Sequence, residues 1–181
     1  MTCLLLMIVV GLGNPGDKYL LTAHNVGFLA VEMLAKEFDC SEWKPMKKTN
    51  CDIAECTING QKVTFAKPRT FMNESGIPVS ALMKWYTTEP SDLIVIHDDT
   101  DLALGDMKIQ SDRGAAGHNG VASIISHVGT KDFTRIRLGV RPEGNTLPAI
   151  DLVLQNISFS KTEKLDEMIS NIAGEIKKRT S

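Results

Sequence analysis

The apolar run LLLMIVV at residues 4–10, followed by GLGNPG at residues 11–16, decides the fold. Seven consecutive apolar residues are typical of a strand buried on both faces, and the glycines end that strand in a tight turn. Apolar residues at helical spacing follow, namely Phe28, Val31, Ala35 and Phe38. They predict a helix from about Asn25, so the chain begins as an α/β domain.

Three further patterns place more strands in the same sheet. Cys51–Ile58 and Lys62–Ala66 flank Asn59-Gly60, a dipeptide typical of a two-residue hairpin turn. Leu93–Ile96 is short and wholly apolar, which is typical of a central strand covered on both faces. In Arg135–Arg141 arginines alternate with apolar residues, which predicts a half-exposed strand with a basic face.

Helix patterns alternate with these strands. Apolar residues at helical spacing predict helices around Val79–Tyr86, Val121–His127 and Leu165–Ile172, and Ser160 and Glu163 form a capping box before the last of them. No repeat or long linker interrupts the chain. The sequence therefore predicts an α/β fold with a single domain over residues 1–181, in which helices sandwich a mixed central β-sheet.

The composition is that of a globular protein, and the charge limits the classes of partner that it can bind. The 181 residues are 43 % hydrophobic and 23 % charged, which excludes disordered and fibrous chains. The net charge of −2 argues against a nonspecific nucleic-acid binder, although residues 107–142 carry six basic side chains against two acidic ones. The apolar run at residues 4–10 is too short to span a membrane and has no basic residue before it, so we expect a cytoplasmic protein.

The cysteines offer no metal or redox motif. Cys3, Cys40, Cys51 and Cys56 include no CxxC pair, which excludes a zinc ribbon and a thioredoxin-like site. We expect buried free thiols in a reducing compartment.

Polar residues follow two predicted central strands. Asn14 comes just after the first strand, and His97-Asp98-Asp99 follows Leu93–Ile96. Open α/β sheets place their sites at such carboxyl ends. His24 precedes the first helix, whose N-terminus favours a neutral imidazole. An Asp–His pair formed there activates either a serine or a water molecule as the nucleophile.

Other interpretations of these motifs are open. GLGNPG matches the GxGxxG dinucleotide fingerprint, but Pro15 delays the helix that should begin inside it, so a tight glycine turn is favoured. No GxSxG motif supplies a serine, which makes direct attack by water the more economical mechanism. Asp98, Asp99 and Asp101 instead offer oxygen ligands to a divalent cation.

Two stretches offer groups that suit a bound peptide. The loop Gly114–Gly120 runs into a predicted helix, where its backbone N–H groups can meet an anion or a peptide carbonyl. The side-chain amides of Asn73 and Asn119 both donate and accept hydrogen bonds, as a peptide backbone does.

Together these residues resemble the bacterial-type peptidyl-tRNA hydrolase family. The matching runs extend over nearly the whole chain in family order, at residues 8–19 (IVVGLGNPGxxY), 22–27 (TxHNxG), 67–76 (KPxTFMNxSG), 97–102 (HDDxDL), 117–120 (GHNG) and 133–139 (FxRxRLG). The resemblance implies a phosphorylase/hydrolase-like fold. It also implies an enzyme that cleaves the ester bond between a peptide and the 3′ end of tRNA, and so recycles tRNA from stalled translation, with no metal and no cofactor.

The resemblance assigns roles to individual residues. It implies that His24 is the general base, that Asp98 stabilises this base, and that Asn14 helps to discriminate N-blocked from free aminoacyl-tRNA. The substrate-binding residues it implies are Tyr19, Phe71, Met72, Asn73, Gly117, His118 and Asn119. The tRNA phosphate contacts that we expect are Arg137, which the resemblance implies, and Lys108, a substitute for a second cation of the family.

The departures from the family pattern concern contact with tRNA. Gln110 stands where the family usually has a lysine of its 5′-phosphate clamp, and Lys108 or Arg113 are candidate substitutes. Ala23 stands where arginine is usual, and Ala115-Ala116 replaces residues of the glycine loop. These changes predict weaker or rerouted contact with tRNA.

Two other function classes are open on the sequence alone. One is a non-catalytic RNA-binding relative, and the other is a metal-dependent nuclease built on the aspartates. The intact set His24, Asp98, Asn14 and Asn73 favours the enzyme. We expect a monomer that binds peptidyl-tRNA through the acceptor arm and the peptide, with no membrane contact and no obligate protein partner.

Overall fold

The computed structural model describes residues 6–157 and 163–181, in which strands and helices alternate. The strands are β1 (Leu6–Gly11), β2 (Lys44–Met46), β3 (Cys51–Ile58), β4 (Gln61–Pro68), β5 (Leu93–Ala103), β6 (Met107–Gln110) and β7 (Thr134–Arg141). The helices are α1 (Val26–Glu37), α2 (Gly76–Tyr86), α3 (Asn119–Val128), α4 (Ala149–Leu152) and α5 (Glu163–Arg179). No helix within the described ranges is long and apolar enough to cross a membrane.

The strands form one mixed sheet in the order β2-β3-β4-β1-β5-β7-β6. The central β1 is parallel to β4 and β5, and β7 is parallel to β5. β2, β3 and β6 pair antiparallel with their neighbours. Helices α1 and α5 pack on one face through residues such as Val31 and Ile172, and α2 and α3 pack on the other through residues such as Leu82 and Ile124. The predicted fold class, a mixed sheet between helical layers, is confirmed.

The predicted hairpin is confirmed, whereas the two edge strands were missed. Asn59 and Gly60 join β3 to β4 with φ angles of 50° and 82°, the left-handed backbone that a tight hairpin turn requires. β2 and β6 have only three and four residues and carry no clear alternation, so the sequence did not predict them. The predicted capping box at residues 160–163 falls on residues outside the described ranges or, at Glu163, on a side chain that the structure does not describe.

Two strands differ from their predictions. β5 continues past Ile96 to Ala103, because its parallel pairing with β7 extends to Asp99. β7 is not half-exposed with a basic face, as its alternation predicted. It is mostly buried, and the Arg135 side chain lies under the loop after β6, where it donates to the Gly114 carbonyl at 2.9 Å. Strand alternation alone does not reveal that a loop covers the polar face.

The expectation of free thiols is wrong for two cysteines. Cys40 and Cys56 form a disulfide that joins the segment after α1 to β3. Cys51 is free, and burial raises the pKa of its thiol to about 12. The sequence could not predict the pairing because it depends on how α1 packs beside β3, and Cys3 lies outside the described residues.

Helix α1 approaches the sheet closely at a glycine. A Cβ atom on Gly27 would lie 2.5 Å from the backbone of both Leu12 and Ile96, at the ends of the β1 and β5 runs. Leu12 and Ile96 are themselves joined, since the Leu12 N–H donates to the Ile96 carbonyl at 2.9 Å. Only glycine therefore allows the start of α1 to pack this closely against Leu12 and Ile96.

We predict that Gly27→Ala lowers the free energy of unfolding by about 3 kcal/mol, because backbone must move to admit the methyl group. The matched control is Gly174→Ala in α5, where a Cβ meets nothing within 4 Å, and which should stabilise the protein by about 0.5–1 kcal/mol through helix propensity. Urea unfolding of both variants measures the difference. Equal stabilities would contradict the packing argument.

Candidate active site

A cleft of about 380 Å³ opens at the carboxyl ends of the central strands. Its lining includes His24, Asp98, His118, Arg137 and Ile150. β5 supplies Asp98, the loop before α3 supplies His118, and a 3₁₀ turn at Ala23–Asn25 supplies His24. Asn14 follows the end of β1 as predicted, whereas Asp98 lies inside β5, because that strand continues to Ala103.

His24 and Asp98 form a direct pair. Nδ1 of His24 lies 2.7 Å from Oδ1 of Asp98, and the Asp98 side chain is only 2 % exposed. Because an ionised carboxylate only accepts hydrogen bonds, Nδ1 carries the proton and donates it. The lone pair of neutral His24 is then on Nε2, which is the arrangement of a histidine ready to accept a proton.

His118 contacts the same carboxylate oxygen. Its Nε2 lies 2.9 Å from Oδ1 of Asp98, while its Nδ1 accepts the N–H of Val121 at 3.3 Å and so caps α3. The cap requires a bare Nδ1, so the proton of the neutral ring lies on Nε2, which donates to Asp98. His118 was predicted to bind substrate, and the structure places it against the carboxylate.

The two histidines compensate the buried charge of Asp98. Burial by itself favours the neutral acid, but hydrogen bonds and charge interactions from His118 and His24 outweigh it and hold the pKa of Asp98 well below its usual range. Asp98 is thus ionised throughout the neutral range. The carboxylate therefore stabilises a positive charge that forms on His24 during a reaction.

The aspartates do not gather around one ion position as the nuclease interpretation requires. Asp99 pairs with the Arg137 guanidinium and Asp101 is exposed, while Asp98 faces the histidines. In the described part of the chain, the group with metal-ligand spacing is His24, Asp98 and His118, whose ligand atoms lie within 4.8 Å of one another. The cap on Nδ1 gives His118 a protonated Nε2, which donates rather than ligates, so these residues suit a proton network better than a metal.

Asn14 joins two parts of the site. Its Oδ1 accepts the backbone N–H of Met72 at 2.9 Å. Its own backbone is held by the side chain of Asn25, which accepts the Asn14 N–H at 2.8 Å and donates to the Asn14 carbonyl at 3.0 Å. Asn25 follows His24 directly, so one short turn carries the predicted base and also holds Asn14.

The predicted substrate-binding residues fall into two groups. Gly117, His118 and Asn119 line the cleft beside Asp98. Tyr19 and Phe71 lie edge to face with ring centroids 6.4 Å apart, and the stretch Phe71-Met72-Asn73 is linked to Asn14 through Met72. Phe71 and Asn73 are exposed, whereas Met72 is buried. The second group, like Asn14, does not line the cleft, and it is linked to the turn that carries His24 through the bonds from Met72 to Asn14 and from Asn14 to Asn25.

The predicted phosphate contacts lie on the β7 and β6 strands. Arg137 donates through Nε to Asp99 and through Nη1 to Oε1 of Gln110 at 2.9 Å. Gln110 therefore orients Arg137 where the family usually has a second cation. Lys108 is the direct cross-strand neighbour of Arg137 and is exposed, whereas Arg113 lies in the loop after β6.

Sequence reasoning gave no role to three buried residues of this region: Asn25, His97 and Arg135. His97 donates through Nδ1 to the Asp98 carbonyl at 2.7 Å, and its ring lies 4.6 Å from the His118 ring. Asn25 and His97 each adjoin a predicted catalytic residue, and Arg135 lies two residues before Arg137. Adjacency was the one available signal, and it does not tell which way a side chain points.

The family of this chain follows from its similarity to known proteins. The family model described as peptidyl-tRNA hydrolase matches residues 8–181. The chain belongs to the peptidyl-tRNA hydrolase family. It is 45 % identical over 161 residues to a peptidyl-tRNA hydrolase of Mycobacterium avium, covering 88 % of this chain and 82 % of that relative. It is 46 % identical over 158 residues to one of Rickettsia bellii, covering 87 % and 83 %.

The fold of the peptidyl-tRNA hydrolase family is also found. The crystal structure of peptidyl-tRNA hydrolase from Acinetobacter baumannii matches with a TM-score of 0.85 at 31 % identity, covering 95 % of this chain and 87 % of that one. The family resemblance and the fold class inferred from the sequence motifs are thereby confirmed. The roles of individual residues stay predictions.

We predict that the protein loses stability below pH 6.5. Burial, with a smaller contribution from His118, lowers the pKa of His97 well below its ordinary value of 6.5. The unfolded chain therefore binds a proton that the native state does not, and the free energy of unfolding falls by up to about 1.4 kcal/mol for each pH unit below that value. Urea unfolding at pH 7.0, 6.0 and 5.5 measures this slope.

The control is His97→Asn, whose amide nitrogen retains a donor for the Asp98 carbonyl but does not titrate. Its stability should depend less steeply on pH over the same interval. Equal slopes in the two proteins would show that His97 titrates normally.

Proposed function

We propose that this protein hydrolyses the ester bond between the peptide and the 3′ end of peptidyl-tRNA by an Asp-assisted, metal-independent attack of water. The observation that carries the mechanism is the 2.7 Å contact between Nδ1 of His24 and Oδ1 of Asp98. It leaves Nε2 of His24 as the proton acceptor beside a cleft. Family membership supports the substrate class.

The reaction follows from this arrangement. Nε2 of His24 takes a proton from water as the water oxygen bonds to the ester carbonyl carbon, and the carbonyl π electrons move to the oxygen. Asp98 stabilises the imidazolium that forms. When the tetrahedral intermediate collapses, the bond to the tRNA 3′ oxygen breaks and that oxygen receives the proton from His24. The products are the free tRNA hydroxyl and the peptide carboxylic acid, which keeps the second proton of the water until it ionises and releases that proton to solvent.

Side-chain amides hold the peptide in this proposal. Oδ1 of Asn14 is occupied by the Met72 N–H, which leaves its Nδ2 to donate to a substrate carbonyl. The exposed amides of Asn73 and Asn119 extend this peptide surface. Donors aimed at the developing oxyanion contribute about 3 kcal/mol each to the rate.

Lys108 and Arg137 are the proposed contacts to tRNA phosphates. Asp99 compensates the charge of Arg137, and Lys108 forms no salt bridge within residues 6–157 and 163–181. Lys108 is therefore the better candidate for the second cation that Gln110 does not supply. We further propose that the protein acts as a monomer in the cytoplasm.

The non-catalytic alternative receives no support from the comparisons, and the assembled His24–Asp98 pair favours the enzyme. We predict that N-acetyl-aminoacyl-tRNA is cleaved in the presence of EDTA and that free aminoacyl-tRNA is not. Inhibition by EDTA, restored by a divalent cation, would contradict the mechanism.

We predict that His24→Ala lowers kcat at least 100-fold, because the variant loses the proton acceptor. The tRNA affinity should stay nearly unchanged, because Lys108 and Arg137 are retained. The matched control is His127→Ala, in which the lost imidazole lies on α3 and bonds the carbonyl of Ser123 in its own helix. A kcat for His24→Ala within a few-fold of the parent would exclude His24 as the base.

We predict that Lys108→Ala and Arg137→Ala each raise KM. Each should also reduce the slope of log KM against log salt concentration by about the amount that one phosphate contact contributes. The matched control is Lys178→Ala. Lys178 lies in the last turn of α5, whose neighbouring residues bond Asn59 in the turn before β4 and Thr134 at the start of β7, so it lies at the amino ends of these strands. A slope equal to that of the parent would remove the substituted residue from the tRNA surface.

A further inference from the structure

We propose that Asn25 is a positioning residue that sets the discrimination between N-blocked and free aminoacyl-tRNA by holding the backbone of Asn14. The inference rests on the proposed function, in which Asn14 contacts the peptide. It concerns a residue beside the predicted base for which neither composition nor spacing indicated a role.

Both ends of the Asn25 side-chain amide bond to one residue, Asn14. Its Oδ1 accepts the Asn14 N–H at 2.8 Å, and its Nδ2 donates to the Asn14 carbonyl at 3.0 Å. A single amide thus pairs with both backbone groups of one residue, as a neighbouring strand would. Asn25 is 2 % exposed, so it acts on a substrate only through Asn14.

The position of Asn25 is itself fixed. It precedes α1 by one residue, and Gly27 rests on the backbone of Leu12 and Ile96 two residues later. The Asn25 N–H also donates to the Thr22 carbonyl at 3.0 Å. Since both the turn and the helix start are held, the amide is a rigid support for the segment that follows β1.

Asn14 connects Asn25 to the residues proposed to hold the peptide, namely Phe71, Met72 and Asn73. Its Oδ1 accepts the Met72 N–H, so a displaced Asn14 backbone moves both its own amide and the stretch Phe71-Met72-Asn73. The His24–Asp98 contact does not pass through these bonds. A change at Asn25 should therefore alter peptide recognition and leave the proton-transfer pair intact.

The variant Asn25→Asp tests this division. It keeps the size and the acceptor oxygen, but an oxygen replaces the donor that faces the Asn14 carbonyl. We expect the ratio of kcat/KM for N-acetyl-aminoacyl-tRNA to that for aminoacyl-tRNA to fall about tenfold, the effect of one lost buried hydrogen bond. The acid limb of the pH profile is measured in Asn25→Ala, which adds no charge beside His24, and it should not move because His24 keeps its Asp98 partner.

Two controls separate positioning from folding. Asn59→Asp makes the same chemical change where the amide donates to the Lys177 carbonyl, far from the cleft, and should retain the parent ratio. Asn25→Ala removes both bonds without adding a charge, and it carries the test if Asn25→Asp does not fold. Thermal unfolding of each variant monitors stability separately from the ratio.

A double variant tests whether Asn25 acts on the substrate through Asn14. In an Asn14→Ala background, Asn25→Asp should lower the ratio no further, because the residue through which it acts has lost its amide. Three outcomes would overturn the role of Asn25 without affecting the proposed function. They are additive losses in the double variant, a parent-like ratio in both Asn25 variants, and a shifted acid limb with the ratio retained. Failure of the parent protein to cleave N-acetyl-aminoacyl-tRNA would overturn the proposed function and this inference with it.

Discussion

The close approach of α1 to Leu12, just after β1, and to Ile96 within β5 is the constraint on which the site depends. Gly27 rests on the backbone of Leu12 and Ile96, where a methyl group would collide. The turn directly before α1 carries His24 and Asn25, so this contact sets the height of both above the sheet. His24 then meets Asp98 on β5, and Asn25 meets Asn14 after β1. A glycine, which has no side chain, thus aligns both the His24–Asp98 pair and the Asn25–Asn14 pair.

Any change in this alignment lowers stability, because it would leave the buried Asp98 carboxylate without its hydrogen-bond donors. Asp98 is almost wholly buried, and the removal of a charge from water is compensated only where donors surround it. His24 and His118 are those donors, and the cap on α3 gives the Nε2 proton to His118. Helix capping, which is usually a matter of stability, therefore also sets the protonation of the site. The same logic applies at Asp99, where Arg137 balances a second buried carboxylate.

The surface beside the cleft shows how a chain with a net charge of −2 can meet a polyanion. Residues 107–142 carry six basic side chains against two acidic ones, and the structure divides these basic residues by role. Arg135 is buried and supports the loop at Gly114, and Arg137 is balanced by Asp99 and oriented by Gln110. Lys108 remains exposed next to Arg137. Counting charges along the sequence overstates the number of cations that are free to contact a polyanion, because burial and ion pairing remove some of them.

The sequence by itself determined the order of most strands and helices, the Asn59-Gly60 hairpin, and the stretches that carry the site. Apolar periodicity and turn chemistry are local properties that adjacent residues express directly. Tertiary structure decided the rest, because it depends on groups distant in the chain. It extended β5 through the cluster at His97–Asp99, buried Arg135 under a loop, and paired Cys40 with Cys56. It also turned Asn25 towards Asn14 and brought two histidines, 94 residues apart in number, onto one oxygen of Asp98. A sequence shows which polar groups exist, but only packing shows which of them compensate each other once water has been excluded.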